Sequence, residues 1–87
     1  MKMMIISELI EKLHEEKADF YSYLELEKEC EDATKKATFH RIATEEMGHY
    51  KALHDMIFAS AETPFEKAFK DESEKCYMQM MKEVQGK

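Results

Sequence analysis

The stretch KECEDATKKA, residues 28–37, decides the fold. On either side of it apolar residues recur at steps of three and four, the spacing of a buried helix face. Ile6, Leu9, Leu13, Phe20, Tyr23 and Leu24 precede it, and Phe39, Ile42, Ala43, Tyr50, Leu53 and Ile57 follow it. It holds no Gly or Pro, so residues 6–58 read either as one long helix or as two helices folded back on each other. Phase separates the two readings. Glu16 and Glu46 are thirty residues apart, and at about 100° per residue an unbroken helix points them roughly 120° from each other, so the two stripes would not share a face. A short turn near Glu31, with Asp32 as N-cap, instead gives an antiparallel hairpin in which residues whose numbers sum to about 62 lie level. Leu9 then meets Leu53, and Phe20 meets Ile42.

The expected elements are helices over about 6–30 and 33–58, with Ser7 as a possible N-cap of the first, and a third helix from 64 to about 84. The third start is the best marked. TPFE, residues 63–66, combines Thr63 as N-cap, Pro64 at the first helical position and Glu66 closing a capping box. The fold class is all-α. Two glycines, one proline and 37% charged residues favour helix throughout. The 87 residues form a single domain with a small core of its own, which makes oligomerisation an expectation.

A net charge of -6 with interspersed lysines leaves no basic face to track phosphates, so no nucleic-acid partner is expected. MKMMIISELI, residues 1–10, is too short an apolar run for a membrane span or a secretory leader before Glu8 and Glu11. Cys30 and Cys76 are far apart and form no C-x-x-C pair, which suits reduced thiols that pack, in a cytoplasmic protein.

Chemistry lies on the hairpin seam. Relative to Leu9, the residues Leu13, Glu16, Phe20, Tyr23 and Glu27 fall within about 40°, so two carboxylates interrupt the first apolar stripe. On the second helix Glu46 is at the centre of the stripe, with His49 about 60° away on the same face. The level rule pairs Glu16 with Glu46. A Glu-x-x-His by itself is weak, since fifteen glutamates and four histidines produce about one by chance. Glu11 and His14 form a second copy that points away from the seam and reads as surface, as do His40 outward and His54 on the flank. Glu27 falls level with Lys35, for which an ion pair or solvent exposure suffices. Glu16, Glu46 and His49 are either polar residues at a hydrated interface or metal ligands. Two facing carboxylates repel unless one is protonated or a cation lies between them, and buried carboxylates lose solvation. Carboxylate oxygens with an imidazole suit iron or manganese, with zinc possible. One chain supplies half of a dinuclear carboxylate site, and a two-fold dimer supplies four glutamates and two histidines.

EKADFYSY at 16–23, followed by FHRIATEEMGHYKAL at 39–53, resembles the first two helices of rubrerythrins and other ferritin-like proteins, and its two-helix length looks most like the encapsulated-ferritin branch. The resemblance covers about residues 9–58. It implies a four-helix bundle completed by dimerisation, Glu16, Glu46 and His49 as ligands, Tyr23 as an aromatic beside the metals, and two iron ions per dimer. It also implies a homodimer or higher even-numbered oligomer, a protein shell as partner, and oxidoreductase activity of a ferroxidase or a peroxide or oxygen reductase. TPFEKAFKDESEKCYMQM, residues 63–80, resembles only the start of a rubrerythrin third helix, and a fourth helix is absent. Glu74 could echo Glu16, but the stripe Phe65, Phe69, Cys76 and Met80 leaves Glu74 off its centre and brings Glu72 closer. The blander role for this helix is packing. Met78, Met80 and Met81 read as flexible core filler. Gly48 permits close approach or ligand access, or is merely tolerated. Two other functions stay open: a non-catalytic helical interaction module, and a structural metal-binding module without turnover.

Overall fold

The computed structural model describes residues 3–59 and 61–86, with side chains from Ser7 onward. The chain forms three helices, α1 (Met3–Glu29), α2 (Ala33–Phe58) and α3 (Pro64–Gln85), and no strand among the described residues. None of the helices is long and apolar enough to cross a membrane.

The break between α1 and α2 falls where phase requires it. α1 closes with the Cys30 N–H donating to the Leu26 carbonyl at 3.0 Å. Asp32 takes an extended backbone, and its Oδ1 accepts from the N–H groups of Thr34 at 2.8 Å and Lys35 at 3.3 Å. Those are donors that a helix start leaves without partners. The reciprocal box at the start of α3 is complete, with Glu66 N–H donating to Thr63 Oγ1 at 3.1 Å and Thr63 N–H donating to Glu66 Oε1 at 3.0 Å. The backbone N–H groups of Thr63 and Glu62 hold the Glu66 carboxyl below its ordinary range. Ser7 is not a cap. α1 already runs from Met3, since nothing in residues 3–6 breaks a helix, and Ser7 is an exposed interior position. The side chain of Ile6 lies outside the described residues.

Leu13, Phe20 and Leu24 of α1, Ala43 and Tyr50 of α2 and Met80 of α3 form the buried core. Around it Tyr21, Tyr23, Met47, Leu53, Ile57, Cys76, Tyr77 and Val84 are half-buried. The fully buried positions of α2 are Ala43, Tyr50, His54 and Phe58. Phe39, Ile42, Leu53 and Ile57, which the pattern placed in the stripe, are only half-buried. The reason is α3, which packs along one flank of α2 and draws the buried arc toward itself. Its own buried residues are Ser73 and Met80. Phe69 and Cys76 are half-buried, Phe65 is 76% exposed, and Glu72 is exposed, so Ser73 and not Glu72 holds the stripe. Met80 fills the core as expected, whereas Met78 is mostly exposed. Cys30 and Cys76 are free thiols, both half-buried.

The molecule is elongated, 47 × 23 × 15 Å with a radius of gyration of 14.6 Å, against about 12 Å for a compact chain of this length. Its accessible surface is 6169 Å², against about 5,400 Å² for a compact monomer of this mass.

Gly48 has no packing role within the chain. A Cβ built there meets nothing within 4 Å, and the residue lies about 160° around α2 from Glu46. Close approach is therefore not what Gly48 provides in this fold. Gly48→Ala is expected to stabilise the protein by about 1 kcal/mol through helix propensity alone. A thermal melt no higher than wild type would show that another surface needs the bare backbone.

Candidate metal centre

Glu16 comes from the middle of α1, and Glu46 and His49 from consecutive turns of α2, so the hairpin turn brings the three together. One ligand atom from each lies within 4.8 Å of the other two. His49 Nδ1 is 3.5 Å from Glu16 Oε2 and 3.5 Å from Glu46 Oε1. Both distances exceed the roughly 2.7–2.9 Å of a charge-assisted hydrogen bond. They suit atoms that share a divalent ion instead, because ligands about 2.0–2.2 Å from one metal lie roughly 3–4 Å apart. The carboxylates are well covered, with 23% of the Glu16 side chain and 17% of the Glu46 side chain exposed, while His49 is 61% exposed.

Glu16 Oε2 is buried and has no hydrogen-bond partner. Such an atom forfeits its solvation without replacement, at about 1–3 kcal/mol or more for a charged group. The Glu46 carboxyl is pushed above its ordinary range, first by a hydrogen bond shared with the Glu16 carboxyl, then by burial and by the Glu16 charge, with His49 opposing them. Two acids facing each other in a half-dry seam call for a proton or a cation between them. Two carboxylates and an imidazole form a hard-to-borderline donor set that iron, manganese or zinc satisfies. Among the described residues this is the one group of three or more such side chains placed to hold a metal.

The remaining candidates separate cleanly. Glu11 and His14 are exposed, as expected of a surface pair. Tyr23 is half-buried and faces the Phe39 ring across the hairpin, with centroids 6.4 Å apart. Glu27 pairs with His40 rather than Lys35, its Oε1 being 3.1 Å from His40 Nδ1. His40 is correspondingly half-buried and not a surface residue. Lys36, one residue past the expected Lys35, donates to the Glu27 backbone carbonyl at 2.7 Å.

His54 overturns the sequence expectation most completely. It is 5% exposed, and its Nδ1 is 2.8 Å from Ser73 Oγ. Tyr50 Oη reaches the same oxygen at 2.9 Å. Glu74 is exposed on α3, with its Oε1 3.8 Å from His54 Nε2, so it serves this network and not the carboxylate seam. A usable signal existed. Ala43, Met47, Tyr50, His54 and Phe58 form one run at steps of four and three, as do Phe69, Ser73, Cys76, Met80 and Val84. Each run carries one polar residue, and the two meet. A groove of about 810 Å³ between α2 and α3 borders His54 and Glu74 and includes none of Glu16, Glu46 or His49.

No protein-family model matches this chain, and no curated protein or solved structure does.

Proposed function

We propose that the chain is a ferritin-like di-iron protein whose centre is completed by a two-fold dimer, and that it acts as a ferroxidase or as a peroxide or oxygen reductase. The buried, unpartnered Glu16 Oε2, lying 3.5 Å from the His49 nitrogen beside a second carboxylate, carries this reading. Glu16 and Glu46 bind or bridge the metals, and His49 holds one metal per chain. Bound iron supplies one-electron redox chemistry toward Fe(II), oxygen or peroxide, with manganese or zinc as the non-redox or alternative occupants. The chain's own part is to keep two carboxylates covered and close, and to leave the more exposed His49 side open to substrate.

The position of the cluster favours a second copy. On both helices the buried residues lie about 40–120° to one side of the glutamate, whereas exposed Leu26 on α1 and Met56 on α2 lie about 80° to the other. Between them Leu9, Phe39, Ile42, Leu53 and Ile57 are half-buried, so the seam runs along the edge of the core rather than through it. The surface in excess of a compact monomer is roughly 800 Å², about one partner's share of an ordinary interface. A copy seated there covers the half-exposed stripe and supplies the other two glutamates and the other histidine.

Metal analysis on protein of known native mass tests this. The expected result is about one metal per chain in an even-numbered oligomer, lost in Glu46→Ala and His49→Ala and retained in Glu11→Ala. Equal metal content in all three variants rejects the site. Oxygen consumption on addition of Fe(II) then separates turnover from a structural metal.

A further inference from the structure

The polar network between α2 and α3 plays no part in the metal centre, and its chemistry is directional. Tyr50 Oη, Ser73 Oγ and His54 Nδ1 form a chain of two hydrogen bonds, 2.9 and 2.8 Å long, in which Ser73 is the middle member. Burial pushes the Tyr50 phenol up to about 12, so it keeps its proton and can donate to Ser73 Oγ. The Ser73 hydroxyl then donates to His54 Nδ1, which must be unprotonated, and Nε2, which carries the proton of the neutral ring, lies 3.8 Å from Glu74 Oε1. While His54 is neutral the Tyr50 and Ser73 hydroxyls both have an acceptor.

We propose that His54 is an acid-responsive latch: uptake of a proton on its buried ring releases α3 from the helical hairpin. Protonated Nδ1 can only donate to Ser73 Oγ, so the serine proton loses the imidazole nitrogen as its acceptor and the hydrogen bond between the two helices must reverse. The ring also acquires a charge at a position that is 5% exposed. The groups that face it from its two flanking helices divide evenly in sign, Asp55 on α2 and Glu74 on α3 favouring the cation, and Lys51 on α2 and Lys70 on α3 opposing it. Burial outweighs them and lowers the affinity of His54 for a proton below that of a free imidazole.

The folded arrangement thus binds fewer protons than the released one. Docking is complete above the ordinary histidine range, near pH 6.5, and weakens as pH falls from there toward the lowered folded value. α3 is suited to such release because it packs mainly along one helix, α2, and less extensively than α1 and α2 pack on each other. Between α2 and the capping box, Ala61 N–H donates to the Phe58 carbonyl at 3.2 Å. Release uncovers Met47, Tyr50 and Phe58, the apolar flank of α2.

The latch is independent of the metal reading, and one experiment treats it so. Amide exchange of the full chain, corrected for the intrinsic rate at each pH, is measured between pH 7.5 and 5. The ring resonances of His54 are followed over the same range. Expected is a several-fold loss of protection confined to α3, bounded by the tenfold per pH unit that one proton allows, with His54 titrating below 6.5. In His54→Asn, whose amide oxygen can accept from Ser73 but does not titrate, α3 loses this pH response. In Ser73→Ala, which removes the hydroxyl that favours unprotonated Nδ1, the response shrinks, which covers the case in which His54→Asn folds poorly. Glu46→Gln leaves it unchanged. An α3 response of the same size in His54→Asn, or titration of wild-type His54 at or above 6.5, overturns the proposal.

Discussion

Glu46→Gln is expected to make the metal-free protein more stable while reducing its metal affinity by at least about 100-fold, beyond the roughly 10–100-fold loss typical of a group behind a ligand. The Glu46 carboxyl is raised above its ordinary range by its contact with Glu16 and by burial. The folded protein therefore binds this proton more tightly than the unfolded chain. The stability it contributes is present below the ordinary carboxyl range and is lost as pH rises through the elevated folded value. At neutral pH the metal-free seam sits on the unfavourable side of that transition. Two like charges about 4 Å apart repel by on the order of 1 kcal/mol where water still reaches them, and a neutral amide removes that repulsion without changing the shape of the side chain. Melting temperatures of chelator-treated wild type and variant at pH 7.5 and pH 5, with metal content measured in parallel, check both halves. A variant that melts below wild type at pH 7.5, or that retains its metal, would contradict the account of the seam. His54 works in the opposite direction, costing stability as pH falls below the ordinary histidine range, so the contributions of the two groups to the stability of the metal-free protein oppose each other as pH falls.

Phe20→Ala is expected to remove about 3–5 kcal/mol of stability, a large fraction of the roughly 5–15 kcal/mol that holds a typical domain together. Phe20 is 0% exposed, at the centre of a core that also includes Leu13, Leu24, Ala43, Tyr50 and Met80, and meets the Tyr21 ring edge-on at 5.0 Å. Few other large side chains are available to collapse into the space. The fall in melting temperature is on the order of 20 °C for a chain of this size. Phe65→Ala provides the contrast. Phe65 is 76% exposed, and its ring lies 6.4 Å from that of Phe69, so its removal is expected to stay within about 0.5 kcal/mol. Chemical denaturation of the two variants distinguishes them. Comparable losses would mean that Phe65 is covered by something other than this chain.

Phe20 and Phe65 both belong to apolar stripes in the sequence, and nothing local tells them apart. Helix spacing marks which side of a helix is apolar, but not how far along it a neighbour extends. Phe65 lies in the first turn of α3, beyond the part of the helix that approaches Tyr21 and the core. The same limit explains Glu27. The level rule placed Lys35 opposite Glu27, next to Lys36 which does reach the Glu27 backbone, but the side-chain partner, His40, lies one turn further along α2.

The chain by itself determined its three helices, both caps that matter and the meeting of Glu16 with Glu46 and His49. Each of these follows from short-range chemistry: helix phase, an aspartate or threonine beside unpaired N–H groups, and a hairpin turn whose position fixes which residues lie level. Only the tertiary structure decided which flank of α2 accepts α3. That choice depends on packing between segments distant in sequence, and it turned His54 from an apparent surface residue into the buried polar partner of Ser73 between two helices. It also left the carboxylate seam at the edge of the core, half-covered on its open side.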